Sequence, residues 1–350
     1  MTQLLLNSTP GDVCSGIADG PTLLDLARGW LKQGNPAVAE ELLDAAVQSD
    51  EADRDPDLRA HVLKEIGRVK MMQSDWDQAE SFHLEAQRVF VSVQNYKGAA
   101  QCARNRANTL FQAGKYTHAQ ELCRDALDWA STAEDYELRA TILNTMGAIE
   151  SAQGMAEQAV STFRLCLADF RTAGNAIRQG YVLLNIGLAQ TELRQFAQAQ
   201  DSLNQALSIA LTEKDQNLVE ICYQNIAKCY LAQNEANLAK SVVDTARRIL
   251  PGLNSKALEM ELALIEALIA RAQGDIKTSN KLLAEILPAV REHNLSGLVA
   301  DVLFEQARSA REAGDLPCAR SKARSAADQY RAIGATHGES EARELIEALG

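Results

Sequence analysis

Amide and basic side chains recur every forty residues at three neighbouring positions, and their chemistry is that of peptide recognition. An amide side chain offers two donors and an acceptor, which complement the unpaired backbone of an extended peptide. Lys and Arg interspersed among the amides would pair with carboxylates on that peptide. The residues predicted to bind a peptide in this way are Lys64, Arg68, Arg104, Asn105, Asn108, Asn144, Asn185, Gln224, Asn225 and Lys228, with Phe111 and Tyr181 as apolar anchors nearby.

The sequence contains no arrangement of residues that is typical of an enzyme. The five His residues are scattered, and there is neither a His-x-x-x-His pair nor a Cys-x-x-Cys pair. The glycines do not form a phosphate-binding loop. We therefore predict that the chain is not an enzyme and that it uses no cofactor and no metal ion.

A tight turn recurs at the same forty-residue interval. Five of the eight positions in this register are Gly and one is Asn, the residues that most readily adopt a positive φ. The positions are Gly34, Ser74, Gly114, Gly154, Arg194, Asn234, Gly274 and Gly314. Because the register holds over eight units, the chain is predicted to be an array of repeats.

Small residues flank each predicted turn at fixed distances. Ala or Gly stands seven residues before every turn, and Ala or Ser stands five residues after it. Matched small residues let two antiparallel helices approach closely, while a larger residue such as Leu43 or Leu203 fills the space between them. Three repeats do not have a large apolar residue at this position; they have His83, Cys123 or Ala323 instead. Each unit is therefore predicted to be a helix A, a turn and a helix B.

Short polar residues are expected to cap the A helices, again at forty-residue spacing. They are Asp55, Asn95, Asp135, Asn175 and Asp215, and the pattern fails at Ser255 and Leu295. Pro251 and Pro288 come late in B helices and are expected to end or bend them. Because one hairpin cannot bury its own apolar face, neighbouring hairpins are predicted to stack.

The small–Gly–Ala–large–Ala cadence resembles the tetratricopeptide repeat (TPR). The stretches "LNIGLAQTELRQFAQAQDSL" and "RNRANTLFQAGKYTHAQEL" carry the likeness best, and it extends over residues 22–335. The usual unit has about 34 residues, and a forty-residue unit is similar to those of Pins-type adaptors and bacterial regulatory arrays. The resemblance implies a right-handed superhelical all-α solenoid whose A helices line a concave groove. In the resembling adaptors, the Asn at the position of Asn105, Asn185 and Asn225 holds the backbone of a bound peptide.

These patterns predict three segments. Residues 1–20 are expected to be a flexible N-terminal lead, residues 21–335 eight repeats, and residues 336–350 a capping helix over the last repeat. Such a helix shields the apolar end of a repeat array.

Charge and composition limit the kinds of partner. A net charge of −12 argues against a nucleic acid or an anionic membrane as the main target. No apolar stretch reaches membrane-spanning length, no secretory signal is recognisable, and the seven Cys are scattered, which together predict a cytoplasmic location. A local basic groove on an acidic chain would favour acidic peptide segments.

Three functional hypotheses remain open from the sequence. The leading one is a non-enzymatic scaffold or adaptor that binds an extended or helical peptide segment of a partner protein in its groove. The alternative is a ligand- or peptide-gated regulatory protein that acts on a separate output partner. The third is self-assembly. The first repeat has the apolar residues Leu26, Trp30 and Leu43, which would be available for a homodimer contact through the terminal repeats.

Overall fold

The structure is a computed structural model that describes residues 19–249 and 256–349. Within these ranges the chain forms eighteen α-helices and no β-strand, which confirms the all-α fold class. Residues 1–18 of the predicted N-terminal lead, together with Pro251 and Ser255, lie outside the described residues.

The chain divides into two compact units, one ending at Ile149 and the other beginning at Glu150. The helices that begin in the first unit are α1 (Gly20–Lys32), α2 (Pro36–Val47), α3 (Asp50–Arg54), α4 (Pro56–Met72), α5 (Trp76–Ser92), α6 (Tyr96–Gln112), α7 (Tyr116–Thr132) and α8 (Tyr136–Ala152). Those of the second unit are α9 (Ala156–Thr172), α10 (Ala176–Glu192), α11 (Phe196–Glu213), α12 (Gln216–Ala232), α13 (Ala236–Ile249), α14 (Lys256–Ala272), α15 (Ile276–Glu292), α16 (Ser296–Glu312), α17 (Leu316–Ala332) and α18 (Thr336–Ala348).

All eight predicted turn positions have a positive φ. The two least expected residues follow the rule as well, with φ of 61° at Ser74 and 57° at Arg194. The connections from helix B to the next helix A also contain one residue in the left-handed conformation. This second set of turns was not predicted from the sequence. It is found at Gln94, Glu134, Gly174, Lys214, Asn294 and Gly334. Most of the forty-residue repeats thus consist of two similar halves. Each half is a helix of about five turns followed by a three-residue connection.

The predicted capping residues act as expected. The side chains of Asp55, Asn95, Asp135, Asn175 and Asp215 each accept a hydrogen bond from a backbone N–H in the first turn of the following helix. Leu295, where the pattern fails, precedes α16 without a side-chain cap. The expectation for Pro288 is wrong as to helix ending, because α15 continues past it to Glu292.

Close helix packing depends on the small residues, as predicted. An ideal Cβ placed on Gly67 would lie 2.6 Å from the ring of His83, and one placed on Gly187 would lie 2.6 Å from Leu203. In each case an A-helix glycine accommodates the large residue of the B helix in the same hairpin. Small residues such as Ala39 and Ala119 in the first unit and Ala199 in the second are completely buried.

Candidate peptide-binding clefts

A cleft of about 450 Å³ is formed by helices α4, α6 and α8 together with Asp135, which directly precedes α8. We call it the N-terminal cleft. Its lining residues are Lys64, Glu65, Arg68, Lys97, Gln101, Arg104, Asn105, Asp135, Glu137, Leu138 and Thr141. Four of them, Lys64, Arg68, Arg104 and Asn105, belong to the set predicted to bind a peptide. These side chains come together because α4, α6 and α8 are successive A helices with the same register.

Glu65 is the electrostatic centre of the N-terminal cleft. Its side chain is only 4% exposed and forms ion pairs with Arg68 at 2.5 Å, Arg28 at 3.3 Å and Lys64 at 3.8 Å. Burial acts to raise the pKa of Glu65, but the Arg68, Lys64 and Arg28 cations outweigh it and hold the pKa below its usual value. The buried carboxylate therefore remains charged and fixes basic side chains from two successive A helices.

Lys64 is held by a neutral group as well as by Glu65. Its ammonium donates a 2.6 Å hydrogen bond to Gln101 Oε1 on the next A helix. Its side chain is 10% exposed, and burial lowers the pKa of Lys64 while Glu65 acts to raise it. Buried cations of this kind need either an anion or a strong acceptor nearby.

Asn105 and Arg104 form a second connected pair in the cleft. The Arg104 Nη2 donates to Asn105 Oδ1 at 2.8 Å, and the Asn105 Nδ2 lies 3.2 Å from His83 Nε2. Asn105 is 5% exposed, so its amide is largely committed to these two neighbours. The Asn105 amide therefore holds Arg104, and little of it is exposed for direct contact with a peptide.

Lys97 and Asp135 occupy the edge of the N-terminal cleft. They form an ion pair of 2.8 Å, and Asp135 also caps α8 by accepting from Leu138 N at 2.9 Å. Burial acts to raise the pKa of Asp135, but the hydrogen bond from Lys97 and the capping interactions hold it below its usual value. Asp135 was predicted from its spacing as a helix cap and not as part of a cleft.

The remaining predicted residues of the first unit lie outside the lining of this cleft. Phe111 packs against Tyr116, with ring centroids 5.8 Å apart, beside the apolar core of helices α6 and α7. Asn108 and Asn144 are half-buried. Phe111 therefore contributes to the hairpin core, and the structure does not bring it together with Arg104 in the cleft.

The predicted residues of the second unit lie on helices α10 and α12. The Tyr181 hydroxyl donates to Asp215 at 3.3 Å and accepts from Asn217 Nδ2 at 3.0 Å, so its polar tip is bound to the start of α12. Gln224 donates to Glu261 on the next A helix, and Asn225 donates to its own helix at Ile221 O. Asn185 is half-buried, and Lys228 is exposed to solvent.

A second cleft of about 450 Å³ lies within the second unit and contains none of the predicted residues. We call it the C-terminal cleft. It is lined by Leu231, Ala232, Asn234, Leu268, Arg271, Ala272, Glu305, Arg308 and Glu312. Glu305 pairs with Arg271 of the preceding A helix and with Arg308 at 3.2 Å. Sequence reasoning missed Arg271 and Glu312 because they stand outside the register positions that were compared.

Other kinds of site have no support in the described part of the chain. Residues 19–249 and 256–349 contain no group of three His, Cys, Asp or Glu side chains placed to hold a metal ion. None of the helices in these ranges is long and apolar enough to cross a membrane. Among the described Cys residues, those that are buried are Cys102, Cys123, Cys166, Cys222 and Cys229.

Known structures share this fold over nearly the whole chain. The apo form of RapI has a TM-score of 0.68 and 15% identity, and the match covers 99% of this chain and 93% of RapI. The apo quorum sensor NprR from B. thuringiensis has a TM-score of 0.67 and 13% identity, covering 91% of this chain and 90% of NprR. A Rap protein complexed with Competence and Sporulation Factor has a TM-score of 0.63 and 15% identity, covering 98% and 93%.

The sequence itself matches one family model. No match is found among curated proteins. The model of the MalT-like TPR region, however, matches residues 100–348, which is well over half of the chain. Together with the forty-residue hairpins and their left-handed turns, this match shows that the chain belongs to the family of MalT-like TPR regions.

Proposed function

We propose that this chain is a non-enzymatic interaction module that binds an acidic, extended or helical peptide segment of a partner protein in the N-terminal cleft. The observation that carries the proposal is the charge of that cleft. Four basic side chains and three acidic ones line it, and Arg28 adds a further cation to Glu65. This local excess of positive charge lies on a chain whose net charge is −12.

The geometry supports recognition of carboxylates in particular. Lys64 donates to the neutral Gln101 amide, so an incoming carboxylate would give that cation a stronger partner. Glu65 holds Arg68 in place, which lowers the entropy that Arg68 would lose on binding. Close to the cleft its cations would attract an acidic peptide, while the acidic remainder of the surface disfavours acidic contacts elsewhere.

A second candidate function is regulation by a ligand. Proteins with this fold include a quorum sensor and a Rap protein solved with Competence and Sporulation Factor. By analogy, a bound peptide would change the arrangement of the helices and so the contacts with a separate output partner. This candidate requires different ligand affinities in two conformations. It predicts that a bound peptide changes the hydrodynamic radius of the chain.

Self-association through the terminal repeats stays a separate prediction. It requires the mass measured by light scattering to increase with protein concentration. A constant monomer mass at all concentrations would exclude it.

The test of the leading proposal uses a fluorescent peptide that alternates Glu with Ser, and its counterpart with Gln in place of each Glu. Anisotropy titrations at low salt should show saturable binding of the Glu peptide alone. Arg104→Gln should weaken that binding by about tenfold, since a charged hydrogen bond contributes about 1.5–3 kcal/mol. The matched control is Arg308→Gln in the C-terminal cleft, which should leave the affinity unchanged.

Two outcomes would contradict the proposal. One is equal binding of the Glu and Gln peptides, which would show that the cleft does not select acidic ligands. The other is an equal loss of affinity in Arg104→Gln and Arg308→Gln, which would move binding away from the N-terminal cleft.

A further inference from the structure

His83 occupies a position that apolar residues fill in other repeats. Leu43 and Leu203 stand at the same register position, where the B helix packs against the small residue of its A helix. The imidazole of His83 is completely buried, and its ring atoms lie only 2.6–2.8 Å from where a Cβ on Gly67 would be. A polar ring in a packing position has a desolvation cost that a Leu would avoid.

The His83 ring has a polar contact that Leu could not make. Asn105 on the next A helix places its Nδ2 3.2 Å from His83 Nε2. The same Asn105 accepts from Arg104 Nη2 through Oδ1 at 2.8 Å. His83 is thus connected to a basic residue of the N-terminal cleft through one amide group.

The direction of the Asn105 amide matters for Arg104. An amide has a donor end and an acceptor end, and only the acceptor end can receive the guanidinium hydrogen bond. A His83 ring that accepts at Nε2 holds the donor end of Asn105 inward and so turns the oxygen toward Arg104. A Leu at this position would leave the buried Asn105 NH₂ without this acceptor.

The protonation state of His83 agrees with this role. Burial lowers the pKa of His83 to about 4, so the ring is neutral near pH 7 and has one unprotonated nitrogen. A neutral ring can accept from Asn105, whereas a protonated ring has donors on both nitrogens.

We propose, building on the function proposed above, that His83 is a positioning residue that orients the Arg104 guanidinium for an acidic ligand through the Asn105 amide. It does not touch the ligand. Its contribution is preorganisation: Arg104 keeps one direction in the free protein and loses less rotational freedom on binding.

The first test replaces the acceptor while keeping the packing. His83→Leu should fold, because Leu serves at this position in other repeats, and should weaken binding of the Glu–Ser peptide by about fivefold. His83→Gln places an amide oxygen near the site of Nε2 and should restore most of the affinity. Leu43→Met, a volume-conserving change at the same position one repeat earlier, is the packing control and should have no effect.

The second test asks whether His83 acts through Arg104. In a double-mutant cycle, His83→Leu should cause no further loss of affinity once Arg104→Gln is present. Additive losses in the two variants would show that His83 affects binding only through general packing, and would overturn the proposal.

A third measurement does not depend on any ligand. Rotation of the Arg104 guanidinium about its Nε–Cζ bond, followed by NMR in the free protein, should be faster in His83→Leu than in wild type. If the peptide fails to bind but this rotation changes, the proposed function is wrong and the positioning role stands. If peptide binding depends on Arg104 while neither rotation nor affinity responds to His83→Leu, the positioning role alone is wrong.

Discussion

Each of the two clefts has a glutamate at its centre that pairs with two arginines, and the two glutamates are six repeats apart in the sequence. Glu65 and Glu305 share one register position, and each pairs with an Arg three residues later, Arg68 or Arg308. Each also receives an Arg from the preceding A helix, Arg28 in the first unit and Arg271 in the second. A buried glutamate that joins two successive A helices is therefore a structural feature of this array, found in both units.

The surroundings of the two glutamates differ. The N-terminal cleft adds Lys64 and Arg104 from the predicted set and Lys97 at its edge. The C-terminal cleft adds Glu312 and the apolar side chains of Leu231 and Leu268. Each glutamate thus joins two successive A helices, and in the proposed function it is the additional cations that favour ligand binding in the N-terminal cleft.

The largest expected effect is on stability, when the central carboxylates are neutralised. Glu65→Gln leaves the charges of Arg28, Arg68 and Lys64 without their shared anion, and we expect it to lower the free energy of unfolding by about 4 kcal/mol. Glu305→Gln should cost about half as much, because Glu312 lies 4.0 Å from Arg271 and can replace part of the interaction.

Urea denaturation of both variants measures this difference. Equal losses in Glu65→Gln and Glu305→Gln would contradict the view that the N-terminal cluster is the more strongly charged of the two.

The second expected effect is a dependence of stability on pH that comes from His83. The unfolded His titrates near pH 6.5 and the folded one near 4, so between these values the unfolded chain binds more protons. Stability contributed by the neutral ring is therefore complete above pH 6.5 and decreases as the pH falls toward 4, by about 3 kcal/mol. Among the charged groups around the ring, Glu65 acts to raise the pKa of His83, while Lys64 and Arg104 act to lower it.

Thermal or urea unfolding at several pH values in this window measures the effect. His83→Leu should have a flatter profile than wild type, whereas Leu203→Met in the second unit should follow the wild-type profile. Parallel profiles for all three proteins would show that His83 has the same pKa in the folded and unfolded states, and would contradict this prediction.

The smallest expected effect concerns the edge of the N-terminal cleft. Asp135→Asn keeps a good capping residue for α8 but removes the anion that pairs with Lys97. The Glu–Ser peptide should then bind about threefold more tightly, as expected when one exposed ion pair no longer competes for Lys97. Asp215→Asn, the equivalent cap in the second unit, should not change the affinity. Unchanged binding by both variants would place Lys97 outside the binding surface.

Most of the fold follows from the spacing of small residues. The register identified Ser74 and Arg194 as turn residues although neither is a usual choice for a positive φ. It did not reveal the equivalent turns at Gln94 and Glu134, because those residues carry no compositional sign of a left-handed conformation. Pro288 was misjudged as to helix ending because α15 accommodates it and continues to Glu292.

The clefts could be predicted only in part. A shared register placed Lys64, Arg68, Arg104 and Asn105 on one face, and the structure brings them into one cleft. Register alone could not show that Glu65 pairs with Arg28 or that Asn105 contacts His83, since these contacts join different repeats. Contacts between adjacent helices depend on side-chain conformation, which the spacing of residues does not determine.

The most direct test of the central claim is to locate a bound acidic peptide on the full chain. A Glu–Ser peptide with a photoactivatable group is cross-linked to the protein, and the adducts are mapped by mass spectrometry. We predict cross-links on the N-terminal cleft, within residues 64–68, 97–105 and 135–141, and their loss in Arg104→Gln. Cross-links concentrated on residues 268–272 and 305–312 would contradict the account and assign binding to the C-terminal cleft.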